Sequence, residues 1–298
     1  MLACIGIGSN AIRLLEADWT NGQLVELKRE RRGTRLFAGL VNGALDTGSI
    51  NRSADAVSEL AEIAKADQAE RLFIMATSAV RDASNGHVFT DACTRLTGID
   101  VEIITGEEEA VYSYFGAARG GISAVIDIGG GSTEFTLGED DRIDGAISLQ
   151  MGAVRMYEQL PVQSVGSYER TVDVCKSIVF PALSKLPYQP DRHYDWTGVG
   201  GTMTTLGAMT QQIPLFDALQ SEGMKVSHSQ VRTWGLKLAA MQLEERKQVV
   251  GLMAHRADII PSGIAILDAS MQCFGVESIR LSARGNLDGY LKRRFLHK

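Results

Sequence analysis

Cysteine and histidine are both scarce in this 298-residue chain, with four of the first and five of the second. Cys4, Cys93, Cys175 and Cys273 lie far apart, form no CxxC pair and have no clustered histidine beside them. That excludes a zinc site of ordinary spacing and predicts four reduced, mostly buried thiols. An excess of positive charge is missing too. Thirty basic residues against 36 acidic ones leave a formal charge of −6, which speaks against a broad nucleic-acid-binding surface. No apolar run reaches membrane-spanning length, and no basic segment followed by a long apolar stretch opens the chain, so a soluble, cytoplasmic protein without membrane contact is expected. With 45% apolar and 22% charged residues the composition is that of an ordinary globular protein, neither disordered nor fibrous. The length suffices for two domains.

What is present is unusual in one place. "VIDIGGGSTEFTL", Val125 to Leu137, sets three glycines inside strand-forming residues, with Asp127 before them and Glu134 after. Glycine weakens a strand interior, so such a run predicts a tight turn or a backbone that something approaches closely. Around it the pattern alternates between strand and helix. Strands are expected at Leu2–Ile7, Ala11–Asp18 and Gln23–Arg31, joined by short turn-rich links. A helix follows from Ile50, then a strand at Arg71–Thr77, a helix near Asn85–Leu96, a strand at Val101–Thr105 and a helix near Glu107–Arg119. The same order restarts at Ser123–Ile128, Thr133–Leu137 and Ile143–Leu149. Helices near Gly152 and Ser167–Leu183, a strand at Asp195–Gly200, helices to about Ala240, a helix at Asp258–Phe274, a strand at Ser278–Ser282 and a terminal helix complete it.

"IGIGSNAIRLL" (Ile5 to Leu15) overlays "IDIGGGSTEFTL" (Ile126 to Leu137), each a strand, a glycine-containing turn and a strand. The reading is an α/β protein of two domains related by duplication, 1–120 and 121–298, with the last helix packing back on the first domain. A ligand cleft is expected between them. Exposed backbone N–H groups in a small-residue turn form a concave anion site. Gly129, Gly130, Gly131, Ser132 and Thr133 would make one phosphate cradle, and Gly8, Ser9 and Asn10 the other. Glu107, Glu108 and Glu109 open a helix together, where acidic residues also complement the dipole, and the residues alone do not choose among them. Asp127 interrupts an apolar strand, which favours a functional role.

Several stretches in order resemble the exopolyphosphatase/guanosine-pentaphosphate phosphatase (Ppx/GppA) family, in its short form: "GSNAIRLL", "ATSAVRDASNG", "ITGEEEA", "VIDIGGGSTEF", "SLQMGAVRM", "GVGGTMTTL" and "RADIIPSG". Together they span nearly the whole chain. The resemblance implies two ribonuclease H-like domains of the actin, sugar-kinase and heat-shock-ATPase superfamily, with the active site in the cleft. It implies hydrolysis of terminal phosphoryl groups of inorganic polyphosphate, or of the 5′ phosphate of guanosine pentaphosphate, and a homodimer. It also implies a Mg²⁺ requirement, with Mn²⁺ as a substitute. Residue by residue it gives Glu108 as catalytic base, Arg81 as a phosphate-binding arginine, and Asp127 and Glu134 as metal ligands. Gly200, Gly201 and Thr202 match a further phosphate-binding segment of the superfamily. Such chemistry needs charge neutralisation and an aligned water more than covalent catalysis.

One position departs from the family, where the first strand carries an aspartate two residues before the loop glycine. Here it is Gly6, opposite Asp127 in the repeat, and Ala11 stands where a loop serine is usual. The alternative reading is therefore a non-catalytic polyphosphate- or alarmone-binding protein with a weakened metal site; a kinase of the same superfamily is a third. The cations of "LKRERRGTRL" read as a solvated strand face, with Arg32 and Arg35 placed to guide a polyanion. Arg256 is a candidate to face the ligand.

Overall fold

The structure, a computed structural model, describes residues 1–213 and 218–296. The strands are β1 (Leu2–Ile7), β2 (Ala11–Thr20), β3 (Gln23–Gly33), β4 (Leu40–Val41), β5 (Ala44–Leu45), β6 (Arg71–Ala76), β7 (Val101–Ile103), β8 (Ile122–Ile128), β9 (Thr133–Glu139), β10 (Arg142–Leu149), β11 (Asp195–Val199), β12 (Lys225–Ser227) and β13 (Ser278–Leu281). The helices are α1 (Thr47–Ala66), α2 (Ser78–Arg81), α3 (Gly86–Thr97), α4 (Gly106–Ala117), α5 (Ala153–Gln159), α6 (Val165–Ala182), α7 (Gly201–Gln211), α8 (His228–Ala239), α9 (Leu243–Arg246), α10 (Ile260–Phe274) and α11 (Asn286–Leu296). Most bounds fall within a few residues of those expected from periodicity. The short strand β12 lies in a stretch read as helical, part of which, 214–217, is outside the described residues. Strand Val101–Thr105 stops at Ile103 because Thr105 is taken up in starting the next helix.

The chain divides into two compact units, Met1–Gly116 with the segment from Asn286 onward, and Ala117–Gly285. The first unit holds a five-stranded sheet ordered β3-β2-β1-β6-β7, and the second a six-stranded sheet ordered β10-β9-β8-β11-β13-β12. In each, a meander of three antiparallel strands is extended by two parallel ones, and β12 adds an antiparallel edge to the second. This is the ribonuclease H-like order, present twice. The strands β1 and β8, central to their sheets, are buried almost throughout, and β8 is apolar but for Ser123 and Asp127, as suits strands covered on both sides.

The first core gathers Leu2, Cys4 and Leu15 from the sheet with Leu287, Tyr290 and Leu291 from α11. The last helix thus belongs to the first unit. In the second unit α6, α8 and α10 pack together over a core that includes Ile126, Phe135, Tyr168, Leu206 and Ile264. Cys4, Cys93 and Cys175 are buried and Cys273 is partly so, all as free thiols. Burial alone pushes Cys93 up to about 12, and burial above all does the same for Cys175, so neither is a thiolate at neutral pH.

One buried charge anchors the second core. Asp268, on α10, is fully buried and accepts from the Tyr168 hydroxyl at 2.8 Å, from Gln272 at 2.8 Å and from Arg232 at 3.3 Å, and it meets His228 Nε2 at 2.7 Å. A carboxylate in such a place is stable only because those partners replace its water. Asp268→Ala strands all of them, and urea unfolding is expected to show a loss of roughly 3–5 kcal/mol. A loss below 1 kcal/mol would mean that the network contributes nothing net.

Candidate functional site

The antiparallel register of β8 and β9 sets Asp127 directly opposite Glu134, which puts both carboxylates on one face of the sheet. Glu134 is in turn opposite Ser148 on β10, whose hydroxyl donates to Glu134 Oε1 at 2.7 Å. The turn between the strands closes by Gly129 N–H donating to the Ser132 carbonyl at 3.0 Å. Its remaining carbonyls are drawn to the start of α5. Gly129 O accepts from Ala153 N–H (2.9 Å), Gly130 O from Val154 and Arg155 N–H (2.8 and 3.1 Å), and Gly131 O from Arg155 Nε (2.7 Å). The groups left over are the N–H donors of Gly130, Gly131 and Ser132, which engage no described residue. Successive free N–H groups in a glycine turn form an anion nest. Thr133 faces elsewhere, its hydroxyl donating to the Met151 carbonyl.

The segment after β11 lies against that turn. Val199 pairs with Asp127, and Gly200 follows at φ +100°. A Cβ at Gly200 would come within 2.5 Å of Ile128 O and 3.0 Å of Asp127 Oδ1, so only glycine fits there. Helix α7 then starts at Gly201 without a side-chain cap, leaving its first N–H groups open. The Thr202 side chain is packed on Gly263 of α10, so at this residue the backbone alone can meet a ligand. Arg256, a candidate for facing the ligand, instead braces α7: its Nη1 donates to Gly201 O at 2.9 Å and to Thr205 Oγ1 at 3.1 Å.

The first unit repeats the loop design. Gly8 N–H donates to Ala11 O at 3.1 Å, while Ser9 O accepts from Phe37 N–H and Asn10 O from Thr34 and Arg35 N–H. Ser9 Oγ meets Ser78 Oγ at 2.9 Å, and Asn10 Oδ1 is buried with no hydrogen-bond partner among the described residues. The flanking charges differ. Where the second unit aligns Asp127, Glu134 and Ser148 across three strands, the first aligns Gly6, Arg13 and Arg31. Burial, then the like charge of Arg13, lowers the Arg31 pKa. A Cβ on Gly6 would lie 3.0 Å from Leu287 Cδ2, so α11 fills the space an aspartate would need.

The glutamates opening α4 separate by helix phase. Glu108, expected as the catalytic base, is a capping residue: its Oε2 accepts from Thr105 N–H at 2.8 Å, while Thr105 Oγ1 accepts from Glu108 N–H at 3.1 Å. Glu109 is the buried one, 6% exposed. Arg81, from α2, reaches its Oε2 at 3.3 Å and donates from the same nitrogen to Ile104 O at 2.9 Å. Asn286 Nδ2 approaches Glu109 Oε1 at 3.4 Å and takes a bond from Arg13 at 3.0 Å on its own Oδ1. Arg81 therefore meets Glu109, not Glu108. Sequence reasoning missed Asn286, whose position 177 residues from Glu109 gives no local signal. Arg32 is held by Glu30 and Glu59, in keeping with a solvated strand face.

Two α/β units of one strand order, each carrying a glycine-containing turn after its first strand, define a ribonuclease H-like protein. The Ppx/GppA phosphatase family matches residues 17–297, and the chain belongs to that family. It is 32% identical over 313 residues to exopolyphosphatase 2 of Mycobacterium tuberculosis, covering 97% of this chain and 96% of that one. A guanosine-5′-triphosphate,3′-diphosphate pyrophosphatase of Vibrio atlanticus is 29% identical over 97% of this chain, which spans only 58% of that protein's length. The crystal structure of the Aquifex aeolicus family member superposes with a TM-score of 0.83 at 26% identity, covering 99% of this chain and 97% of that one.

Gly6→Asp is expected to lower the thermal unfolding midpoint, because its Cβ alone would press on the Leu287 side chain. Adding Leu287→Ala should make the double variant more stable than the sum of the single losses predicts. Strictly additive losses would show that the two residues do not compete for one space.

Proposed function

We propose that this protein is an exopolyphosphatase that releases orthophosphate from the ends of inorganic polyphosphate by attack of water. The observation that carries the reading is Glu109, a nearly buried carboxylate held by an arginine and an amide at the start of a helix. A carboxylate in that setting is fixed in orientation, as a general base that aligns an attacking water must be. Arg81 keeps Glu109 in place and brings a guanidinium whose Nη2 has no hydrogen-bond partner among the described residues, a donor suited to a phosphoryl oxygen. In the second unit, the N–H groups of Gly130, Gly131 and Ser132 are donors suited to phosphate oxygens, whose charge grows as the bridging oxygen departs. The binding-module alternative has no use for a base of this kind.

Asp127 and Glu134 fit a hard divalent cation. They supply oxygen donors side by side, Glu134 is oriented by Ser148, and no group of three or more acidic, histidine or cysteine ligands occurs among the described residues. Two carboxylates with water and substrate phosphate are a usual set for Mg²⁺, and Mn²⁺ accepts the same donors. A cation there would neutralise phosphate charge. Guanosine pentaphosphate, with the same terminal anhydride, is a second substrate suggested by the names of the longer relatives. A cytoplasmic homodimer accords with this reading.

Glu109→Gln keeps the shape and one acceptor oxygen for Arg81 or Asn286 but removes the base, so orthophosphate release should fall by roughly 10²- to 10⁴-fold. Glu108→Gln should retain most of the rate. The reverse order of losses would return the role to Glu108. Absence of orthophosphate from both substrates at every Mg²⁺ or Mn²⁺ concentration, with saturable polyphosphate binding, would establish the non-catalytic alternative. In metal titrations, Asp127→Asn should raise the concentration needed for half-maximal rate; an unchanged requirement would remove Asp127 from metal binding.

A further inference from the structure

Away from the phosphate loops, the first unit has a cavity of about 440 Å³, of the size that small organic ligands occupy. Tyr112 and Glu108 of α4, Tyr290 and Arg293 of α11, and Phe73 and Arg71 of β6 are among its walls. Glu108 thus has a surrounding besides its capping bonds with Thr105. Some wall groups are already engaged: Glu102 accepts from the Tyr290 hydroxyl and from Arg294, each at 2.8 Å. Others are not. Arg71 and Arg293 have ring contacts only, Arg71 over Phe73 at 4.9 Å and Arg293 over Tyr112 at 5.9 Å, and no carboxylate partner among the described residues. The Tyr112 hydroxyl likewise has no hydrogen-bond partner among them.

A guanidinium stacked on a ring keeps its N–H edge for an anion, and the ring restricts its motion. Two such edges and a phenol around one cavity make a binding surface for a phosphate group. The same walls hold the carboxylates of Glu102 and Glu108 and three aromatic rings. Carboxylates repel a polyanion but accept hydrogen bonds from an amino group or a sugar hydroxyl. The lining therefore matches a ligand that is anionic at one end and a planar hydrogen-bonding ring at the other. We propose that this cavity is a nucleotide site, suited to a nucleoside monophosphate, separate from the residues assigned to phosphoryl transfer.

Calorimetric titration of the whole protein with AMP and with GMP tests this, with tripolyphosphate as a pure polyanion. Saturable binding of at least one nucleotide is expected, undiminished by a saturating excess of tripolyphosphate. Arg71→Ala with Arg293→Ala should weaken it by about tenfold or more, since each lost charged hydrogen bond to phosphate is worth over 1 kcal/mol. Neither arginine has an ion pair to lose, and an unchanged circular dichroism spectrum would confirm the fold. Should the double variant not fold, Tyr112→Phe, which removes one hydroxyl, should still weaken binding. No binding of either nucleotide at millimolar concentration overturns the proposal. So does displacement by tripolyphosphate, which would put the nucleotide at the phosphate loops. So does affinity that survives all three substitutions. Because the readout is binding, a failure of the phosphatase reading leaves this test intact.

Discussion

A glycine turn attracts phosphate only if its carbonyl oxygens point somewhere else. Every peptide unit that offers an N–H to an anion also carries an oxygen that would repel it, and the molecule resolves the conflict by engaging those oxygens. In the second unit the start of α5 and the Arg155 side chain take the carbonyls of Gly129, Gly130 and Gly131. In the first, residues 34–37 do so for Ser9 and Asn10. The surrounding elements are placed to satisfy that constraint. Gly200 must be a glycine because β11 runs close beside the loop strand, and Arg256 is occupied in keeping the start of α7 in place.

The two copies of this device have diverged in charge. One aligned trio offers two carboxylates and a hydroxyl, the other a bare backbone and two guanidiniums. The two trios therefore carry opposite charge. The loss at Gly6 is matched by its neighbours: Leu287 fills the space, and Arg13 is tied to Asn286. An apolar side chain over Gly6 leaves no buried polar group uncompensated there.

Much of this was legible in the chain. The succession of strands and helices along the chain was readable from apolar patterning and turn residues, and two short overlaid stretches suggested a duplication with which the two sheet orders are consistent. The glycine turns announced themselves because three glycines in a strand have few structural uses. What escaped reading depends on angle and on distance. Three consecutive glutamates at a helix start differ by 100° steps in direction, and nothing local says which step points inward. Glu108 matches a capping glutamate three residues after Thr105, a signal that explained it without catalysis. Asn286 and Leu287 act on Glu109 and Gly6 through the fold alone. The strand β12 is too short to impose a period.

Synthesis proceeds from one end, and here the end matters. Helix α11 is the final element, yet it supplies Leu287, Tyr290 and Leu291 to the core built on the earliest strands. Until it emerges, the face of β1 around Cys4 and Gly6 lacks its cover, and the second unit has already been made. A nascent first unit must wait, with apolar surface open, through the translation of the whole second unit, Ala117–Gly285. Long-range closure of that sort slows folding and exposes intermediates to aggregation. The second unit, continuous in sequence from Ala117 to Gly285, carries no such debt. The first unit is therefore closed only after the second has been made, and its candidate base gains Asn286 from beyond that unit.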